Sequence, residues 1–368
     1  MNWSAAKATR HANIWLPGYL RERVQRYGAS SPGFVWVCIA DHFEPYWHRA
    51  DDRTAQRRVE QWMHRWPAIA SRHTDSRGQA PCYTFFYPEE EYHPDLLAML
   101  SEMAETRIAD VEVHLHHDGE DERVFVDRIG GFTETLHNRH GLLRKQEGKI
   151  AFGFIHGNWA LDNSRPDGRW CGLNNEISLL RDLNCYADFT MPSVPSPTQT
   201  RIVNTIYWAT DDPARPKSHD IGVPVTVGGP KVGDLMMIPG PLGFNWRDRR
   251  RWWGPQIETG ELSASNPPTR HRAKLWLRYA PRIGEHIFIK LFTHGAQERN
   301  AQMLLGGGLD LVLESLQAEC SELQLKFYCV SAWEMWQAIE AVRMKTDVLT
   351  SPSRRLGSTQ YAQHNHRS

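Results

Sequence analysis

The segment Val111-Glu-Val-His-Leu-His-His-Asp118 alternates apolar and polar side chains, which is the pattern of a β-strand. Its valines and its leucine would face a layer of helices, whereas its glutamate and its first two histidines would face the opposite side. His114 and His116 therefore point the same way and can share one divalent ion. His117 and Asp118 follow where the strand should end, and they offer further nitrogen and oxygen ligands. The alternative is a polar strand end with solvated histidines.

Short apolar runs alternate with helical patterns along most of the chain, and this order favours a parallel β/α architecture. The continuous run at 34–40 is typical of a strand buried on both faces. The other runs that predict strands lie at 83–87, 150–155, 186–191, 234–239 and 287–293. About seven strands precede Gly295, and four of them end in His or Asp. This pattern predicts a closed or nearly closed barrel with one functional rim.

Ionisable residues at the carboxyl ends of buried parallel strands mark the place where barrel enzymes hold their chemistry. Asp41 and His42 end the first apolar run, and Glu44 lies two residues further on. Asp41 has a second interpretation, as the cap of the helix that follows. The ends of the later strands supply five further candidates, namely His156, Asn158, Trp159, Asp162 and His294.

The composition is that of an ordinary soluble globular protein, with 368 residues, 40% hydrophobic and 23% charged. The formal net charge is 0, so no overall field attracts the chain to nucleic acid or to an anionic membrane. The 15 tryptophans weakly favour a carbohydrate substrate, because indole rings stack on sugars. The six cysteines are scattered without a Cys-x-x-Cys pair, which suits reduced core residues in the cytoplasm.

The sequence predicts three parts: a polar, partly helical leader at 1–33, a β/α barrel at 34–345 with an irregular insertion at about 200–285, and a polar tail at 346–368. The first residues lack the apolar core of a signal peptide. No apolar run approaches the roughly 20 residues that a transmembrane helix needs. We therefore expect a cytoplasmic protein with no transmembrane segment, and the sequence carries no signal of its oligomeric state.

With these landmarks in order, residues 34 to 345 resemble the polysaccharide deacetylase (NodB-homology) family. An acid, Asp41, ends the first strand, and the run Thr84-Phe85-Phe86 forms the second. A Glu112-Val-x-x-His116 signature ends the third strand, and an apolar strand ending in His294 comes near the end. The resemblance implies an α/β fold of the distorted seven-stranded (β/α) barrel type that glycoside hydrolases and deacetylases share.

The resemblance also implies a divalent metal, usually zinc, held by an Asp and two His, with an Asp base beside it and a His acid from the last strand. The reaction it implies is hydrolysis of an N- or O-acetyl group on a sugar polymer. Asp41 matches the first acid of the family motif, and His42 stands where the metal-binding Asp would be. Glu120 replaces the second family His, His114 is an additional histidine, and His294 matches the His of the last strand.

The sequence thus predicts a metal-dependent hydrolase that removes an acyl group from a sugar, a polysaccharide or a related amide. His42, His114 and His116 would hold the ion, with zinc as the expected metal. Asp41 would accept a proton from metal-activated water, and His294 would protonate the leaving group. The residues expected to bind substrate or to act as alternative ligands are Glu44, His117, Asp118, His156, Asn158, Trp159 and Asp162.

Two other functions remain open at this stage. A glycosidase of related fold would use two carboxylates, and Asp41, Glu44 and Asp162 are the candidates. A carbohydrate-binding or regulatory barrel without catalysis is the second alternative. It is suggested by the altered acid pair and by the absence of the family's arginine after the fourth strand.

Overall fold

A computed structural model describes residues 11–26, 30–247 and 255–347 of the chain. The fold is a mixed α/β arrangement around one large, mostly parallel sheet. The strands are β1 Phe34–His42, β2 Tyr83–Pro88, β3 Ala109–Leu115, β4 Arg144–Gln146, β5 Lys149–His156, β6 Cys185–Asp188, β7 Tyr207–Ala209, β8 Gly222–Pro224, β9 Leu235–Met237, β10 Gly243–Asn245, β11 Gln256–Glu258, β12 Glu261–Leu262, β13 Arg282–Ile283, β14 His286–Thr293 and β15 Lys326–Cys329.

Within the described residues, the large sheet has the strand order β12-β14-β1-β2-β3-β5-β6-β9-β7-β8. Strands from β12 to β9 in this order pair in parallel, whereas β7 pairs antiparallel with both β8 and β9. Three more strands join at the side, since β4 pairs with β5, β13 with β14, and β15 with β1. The pairings form an open series, and they confirm the predicted α/β class as a large, mostly parallel sheet.

Nine α-helices lie in the described residues, and several begin at side-chain caps that the sequence provides. The helices are α1 Ala12–Gln25, α2 Asp52–Ala70, α3 Pro94–Glu105, α4 Glu122–His140, α5 Glu176–Asp182, α6 Arg270–Tyr279, α7 Glu298–Met303, α8 Leu309–Glu322 and α9 Ala332–Met344. Asp51, Asp121 and Thr269 each accept a hydrogen bond from the backbone N–H three residues later, at the starts of α2, α4 and α6. Ser331 forms a reciprocal capping box with Glu334 at the start of α9.

Both faces of the sheet are covered, which explains why its strands carry continuous apolar runs. Val35 and Val37 of β1 belong to the larger apolar cluster, which also takes in helices α2 to α6 and α8. Trp36 and Cys38 point to the opposite face, where a second apolar cluster includes α9. The sheet is also curved. Four strands lie between β14 and β6 in the strand order, yet Lys290 Nζ of β14 donates a 2.8 Å hydrogen bond to the backbone oxygen of Phe189, just after β6.

The predicted insertion at about 200–285 contains strands β7 to β13 and helix α6. Helix α1 packs onto it, since Trp15 and Tyr19 share a small apolar cluster with Val203 and Leu242. Parts of the predicted leader and tail, residues 1–10, 27–29 and 348–368, lie outside the described residues, as does 248–254. Among the helices that the structure describes, none is long and apolar enough to cross a membrane.

Candidate functional site

The carboxyl ends of the parallel strands bring two predicted metal ligands together with a carboxylate. His42 ends β1, His114 lies near the end of β3, and Glu44 follows β1 by two residues. All three are buried, and one ligand atom from each lies within 4.8 Å of the others. His114 Nε2 is 3.5 Å from Glu44 Oε1. We call these three residues the His42 cluster.

The donor atoms of the His42 cluster suit a divalent cation. The Nε2 atoms of His42 and His114 are buried and have no hydrogen-bond partner among the described residues. The Nδ1–H of His114 donates to the backbone oxygen of Ile155 at 2.8 Å, which leaves a lone pair on Nε2. Burial, together with the neighbouring His294 and His114, holds the pKa of His42 well below its usual value, so this imidazole is neutral. Two imidazoles and a carboxylate are a ligand set that zinc accepts.

His116, predicted as the third histidine ligand, lies at the rim of this cluster. Its Nε2 is 3.7 Å from Glu44 Oε1, and its Nδ1 is hydrogen-bonded to Glu90 Oε1 at 2.5 Å. Its side chain is 32% exposed. Burial lowers the pKa of His116, but the hydrogen bond and charge of Glu90, with the charge of Glu44, outweigh burial and raise it. Glu44 thus takes the position in the ligand set that the sequence analysis gave to His116.

His294 and Trp159 also reach the His42 cluster, as the sequence analysis predicted. The His294 ring lies 4.8 Å from the His42 ring. The rings of His42 and His114 are 5.1 Å apart, and those of His114 and His116 are 4.6 Å apart. The four imidazoles therefore form a row with His116 and His294 at its ends. The Trp159 ring is 6.3 Å from His42, and Asn158 precedes it in the turn Gly157–Trp159.

Asp41, predicted as the general base, lies on the other face of β1. One of its carboxylate oxygens accepts the N–H of Gly295 at 2.6 Å, and the other accepts the hydroxyl of Tyr83 at 2.9 Å. Tyr83 packs with Trp62 of α2 in the larger apolar cluster. Burial raises the pKa of Asp41 to about 7. Asp41 therefore joins β1, β2 and the segment after β14, and we correct its predicted catalytic role to a structural one.

His117 and His156 belong to a separate cluster, on the face of the sheet that carries the larger apolar cluster. Strand alternation puts His117 on the side of Leu115, and His156 ends β5 on the side of Phe154. The Nε2 atoms of His117 and His156 are 2.9 Å apart. Glu176 Oε1 lies 3.1 Å from the first and 3.4 Å from the second. Neither histidine therefore supplements the His42 cluster, contrary to the sequence expectation.

Cys171 completes this group, and sequence analysis missed both it and Glu176. The Cys171 Sγ atom is 3.4 Å from Glu176 Oε2. The four ligand atoms lie within 4.8 Å of one another, and all four residues are buried. We call His117, His156, Cys171 and Glu176 the His117 cluster. The signal in the sequence is the Cys-x-x-x-x-Glu spacing at 171–176, shortly after His156.

The two remaining predicted acids, Asp118 and Asp162, form hydrogen bonds with backbone N–H groups of loops. Asp118 Oδ1 accepts the N–H of Trp170 at 2.8 Å. Asp162 Oδ2 accepts the N–H of Ser218 at 2.5 Å, and burial raises the pKa of Asp162 to about 8. Asp41 and Asp162, two of the three carboxylates considered for a glycosidase, are thus each bound to backbone N–H groups.

The comparisons with known proteins leave this geometry as the basis for inferring function. A scan against models of protein families gives no match, and a search of curated proteins gives none either.

Proposed function

We propose that this protein is a metal-dependent hydrolase that removes an acyl group, such as acetyl, from a sugar, a polysaccharide or a related amide. The observation that carries the proposal is the row of four imidazoles, with Glu44 beside its centre and a histidine at each end. The inner pair supplies ligand atoms, whereas the outer pair, His116 and His294, can exchange protons with a bound substrate. A curved parallel sheet with this site at its carboxyl ends also supports the seven-stranded barrel that the family resemblance implies.

His42, Glu44 and His114 would hold the ion. A divalent ion there supplies a Lewis acid that polarises a carbonyl and lowers the pKa of water toward ~7. The side chains of all three residues are buried, and the Ile155 carbonyl fixes the orientation of the His114 ring.

His116 replaces Asp41 as the proposed proton acceptor. It is the more exposed end of the imidazole row, and Glu90 fixes its ring through Nδ1. That hydrogen bond leaves Nε2 directed toward Glu44, and the two carboxylates raise the pKa of His116, which makes the neutral imidazole a stronger base. His294, at the other end, keeps its expected role as the proton donor to the leaving amine or alcohol. Glu90 is then a positioning residue, in the turn Glu89–Glu91 after β2.

Trp159 supports a carbohydrate or other acylated ring as the substrate. Its ring lies 6.3 Å from the His42 ring and 6.2 Å from the His294 ring, so a flat aromatic surface lies beside the candidate reaction centre. Indole rings stack on the apolar faces of sugars. All six cysteines are free and buried, which agrees with the expected cytoplasmic location. A cytoplasmic saccharide precursor or an acylated metabolite would fit these features, and nothing in the charge of the chain favours nucleic acid.

The experiment compares acetate release from N- and O-acetylated oligosaccharides by the metal-stripped and zinc-loaded full chain. Activity should require zinc. His114→Ala should lose the ion of the His42 cluster and its turnover. His116→Ala should keep that ion but lose about 10²–10⁴-fold in turnover. His64→Ala, on an exposed face of α2, is the matched control and should behave as wild type.

Two results would count against the proposal. Turnover that survives chelation and the His114→Ala replacement would remove the metal from the reaction. A zinc-loaded protein that binds acetylated oligosaccharides without releasing acetate would indicate the carbohydrate-binding alternative instead.

A further inference from the structure

The His117 cluster contains a complete set of metal ligands that the proposed hydrolase does not use. It combines two imidazole nitrogens, a cysteine sulfur and a carboxylate oxygen, contributed by the ends of β3 and β5, a loop, and the first residue of α5. The four residues are 0–5% exposed. Tetrahedral zinc has ligands at about 2.0–2.3 Å, which places neighbouring ligand atoms roughly 3–4 Å apart. The contacts of Glu176 Oε1 with the two Nε2 atoms, 3.1 and 3.4 Å, lie in that range.

The negative charge of the Glu176 carboxylate favours a bound cation in this cluster. Glu176 is fully buried, and its only ion-pair partners among the described residues are the two histidines. Its other carboxylate oxygen, Oε2, accepts the backbone N–H of Asp162 at 2.6 Å. A buried carboxylate costs several kcal/mol unless an opposite charge compensates it. A divalent ion would supply that charge and would also separate the two Nε2 atoms, which face each other at 2.9 Å.

Neighbouring groups already orient two of the ligands. The Nδ1 of His156 is hydrogen-bonded to the backbone oxygen of Gly157 at 2.5 Å, which puts the proton on Nδ1 and the lone pair on Nε2. The Sγ of Cys171 accepts backbone N–H groups from Asn163 at 3.2 Å and from Leu173 at 3.5 Å. Burial and the charge of Glu176 raise the pKa of the Cys171 thiol, so this sulfur gives up its proton only when a metal ion takes the proton's place. The two N–H groups then stabilise the negatively charged sulfur.

We propose that His117, His156, Cys171 and Glu176 bind a zinc ion of their own, separate from the ion of the His42 cluster. Thiolate and imidazole ligands select zinc over magnesium or calcium. Four protein ligands in a buried position leave no coordination site for a substrate, so the ion is structural. It connects the loop 157–175 to the ends of β3 and β5, on the face of the sheet opposite the His42 cluster.

This ion also supports the proposed active site without touching substrate. The same loop begins with Asn158 and Trp159, and Trp159 lies against His42 and His294. Loss of the ion at the His117 cluster should therefore release Trp159 while leaving His42, Glu44 and His114 in place. The proposal stands on its own ligands and does not require the hydrolase activity.

Cobalt substitution tests the proposal directly, because the His42 cluster contains no cysteine. The full chain is stripped of metal and titrated with Co²⁺, and we expect about two ions per chain, one for each cluster. Binding at the His117 cluster should give a thiolate-to-cobalt charge-transfer band in the near ultraviolet. The band should disappear in Cys171→Ser and persist in His114→Ala. Cys185→Ser is the matched control, because Cys185 is a buried free cysteine outside both clusters.

The wild-type spectrum decides the question even if Cys171→Ser does not fold. Cobalt that binds without a charge-transfer band would overturn the proposal, and so would a band that Cys171→Ser retains. For zinc, elemental analysis should find one fewer equivalent in folded Cys171→Ser than in Cys185→Ser. Equal zinc contents in these two variants would also overturn the proposal.

Discussion

Replacing Arg272 with alanine should destabilise the protein far more than the same replacement at Arg72. Both arginines contact both oxygens of a carboxylate, on Glu258 and Asp310 respectively. Their surroundings differ, because the Arg272 and Glu258 side chains are 2% and 1% exposed, whereas those of Arg72 and Asp310 are 53% and 20% exposed. This difference in burial should therefore make the loss of stability much larger for Arg272→Ala than for Arg72→Ala.

The magnitude follows from what Arg272→Ala leaves behind. The guanidinium donates to both oxygens of Glu258 at 2.7 Å, and it also reaches the backbone oxygens of Asn266 and Glu261, both at 2.6 Å. Without it, the donors that Glu258 keeps among the described residues are neutral, namely Trp276 Nε1 and the backbone N–H of Gly260. Breaking a buried pair in this way costs about 3–5 kcal/mol, out of a typical total of about 5–15 kcal/mol. An exposed pair such as that of Arg72 contributes about 0–1 kcal/mol.

The same variant should also disturb the end of β14. Arg272 Nη2 holds the backbone oxygen of Glu261 in β12, and β12 pairs in parallel with Phe292 and Thr293 of β14. His294 follows directly after this pairing. Arg272→Ala should thus reduce turnover of the proposed hydrolase as well as stability, although Arg272 touches no part of the site.

The assay is urea unfolding of wild type, Arg272→Ala and Arg72→Ala, followed by tryptophan fluorescence. The double variant Arg272→Met/Glu258→Leu removes both charges and keeps most of the volume, so its stability should recover much of the loss. A cost for Arg272→Ala no larger than that for Arg72→Ala would refute the reasoning from burial. A double variant less stable than Arg272→Ala would show that packing, rather than an unpaired charge, causes the loss.

Three further predictions address the site and its support. Gly295→Ala would make a Cβ atom collide with the Asp41 carboxylate and should lower stability by about 1–3 kcal/mol. Gly130→Ala, in α4 with nothing within 4 Å, should raise stability by about 0.5–1 kcal/mol. Thermal unfolding of both variants tests this prediction. Burial lowers the pKa of Lys290 from 10.5 to about 7, so the unfolded state binds more protons between these values and stability should rise with pH across that window. Lys290→Met should abolish that contribution, and unfolding at several pH values between the two limits would show whether it does. Glu44→Gln keeps the shape but removes the charge, so it should weaken zinc binding to the His42 cluster at least about tenfold in a competition assay with a chelating dye.

The sequence predicted most of the parallel sheet because its strands are buried on both faces and therefore form apolar runs that stand out. The alternation at 111–115 also placed His114 correctly, on the face opposite Val113 and Leu115. The same alternation rule separates His116 from His117. His116 and His117 are neighbours, so they point to opposite faces, and the sequence analysis treated them as members of one site.

Asp41 was misassigned for a related reason. A residue at the end of a strand can face either side, and the family resemblance favoured the active-site side. Its partners, Tyr83 and the N–H of Gly295, come from other parts of the chain, and no local pattern predicts them. Cys171 and Glu176 were missed because an irregular loop has no periodicity that would assign their direction.

The backbone of the loop 157–175 adopts conformations that cost free energy, so contacts with the rest of the protein must maintain its shape. Five non-glycine residues between 157 and 175 have positive φ, namely Asn158, Trp159, Asp162, Asn163 and Trp170. The left-handed conformation costs roughly 1–2 kcal/mol for each such residue, somewhat less for Asn and Asp. Together they represent a sizeable share of the ~5–15 kcal/mol that stabilises a typical domain. A segment with that cost keeps its shape only if fixed points impose it, and His156, Cys171 and Glu176 are buried at its two ends. A zinc ion joining those ends to His117 would therefore determine where Trp159 stands over the histidines on the other face of the sheet.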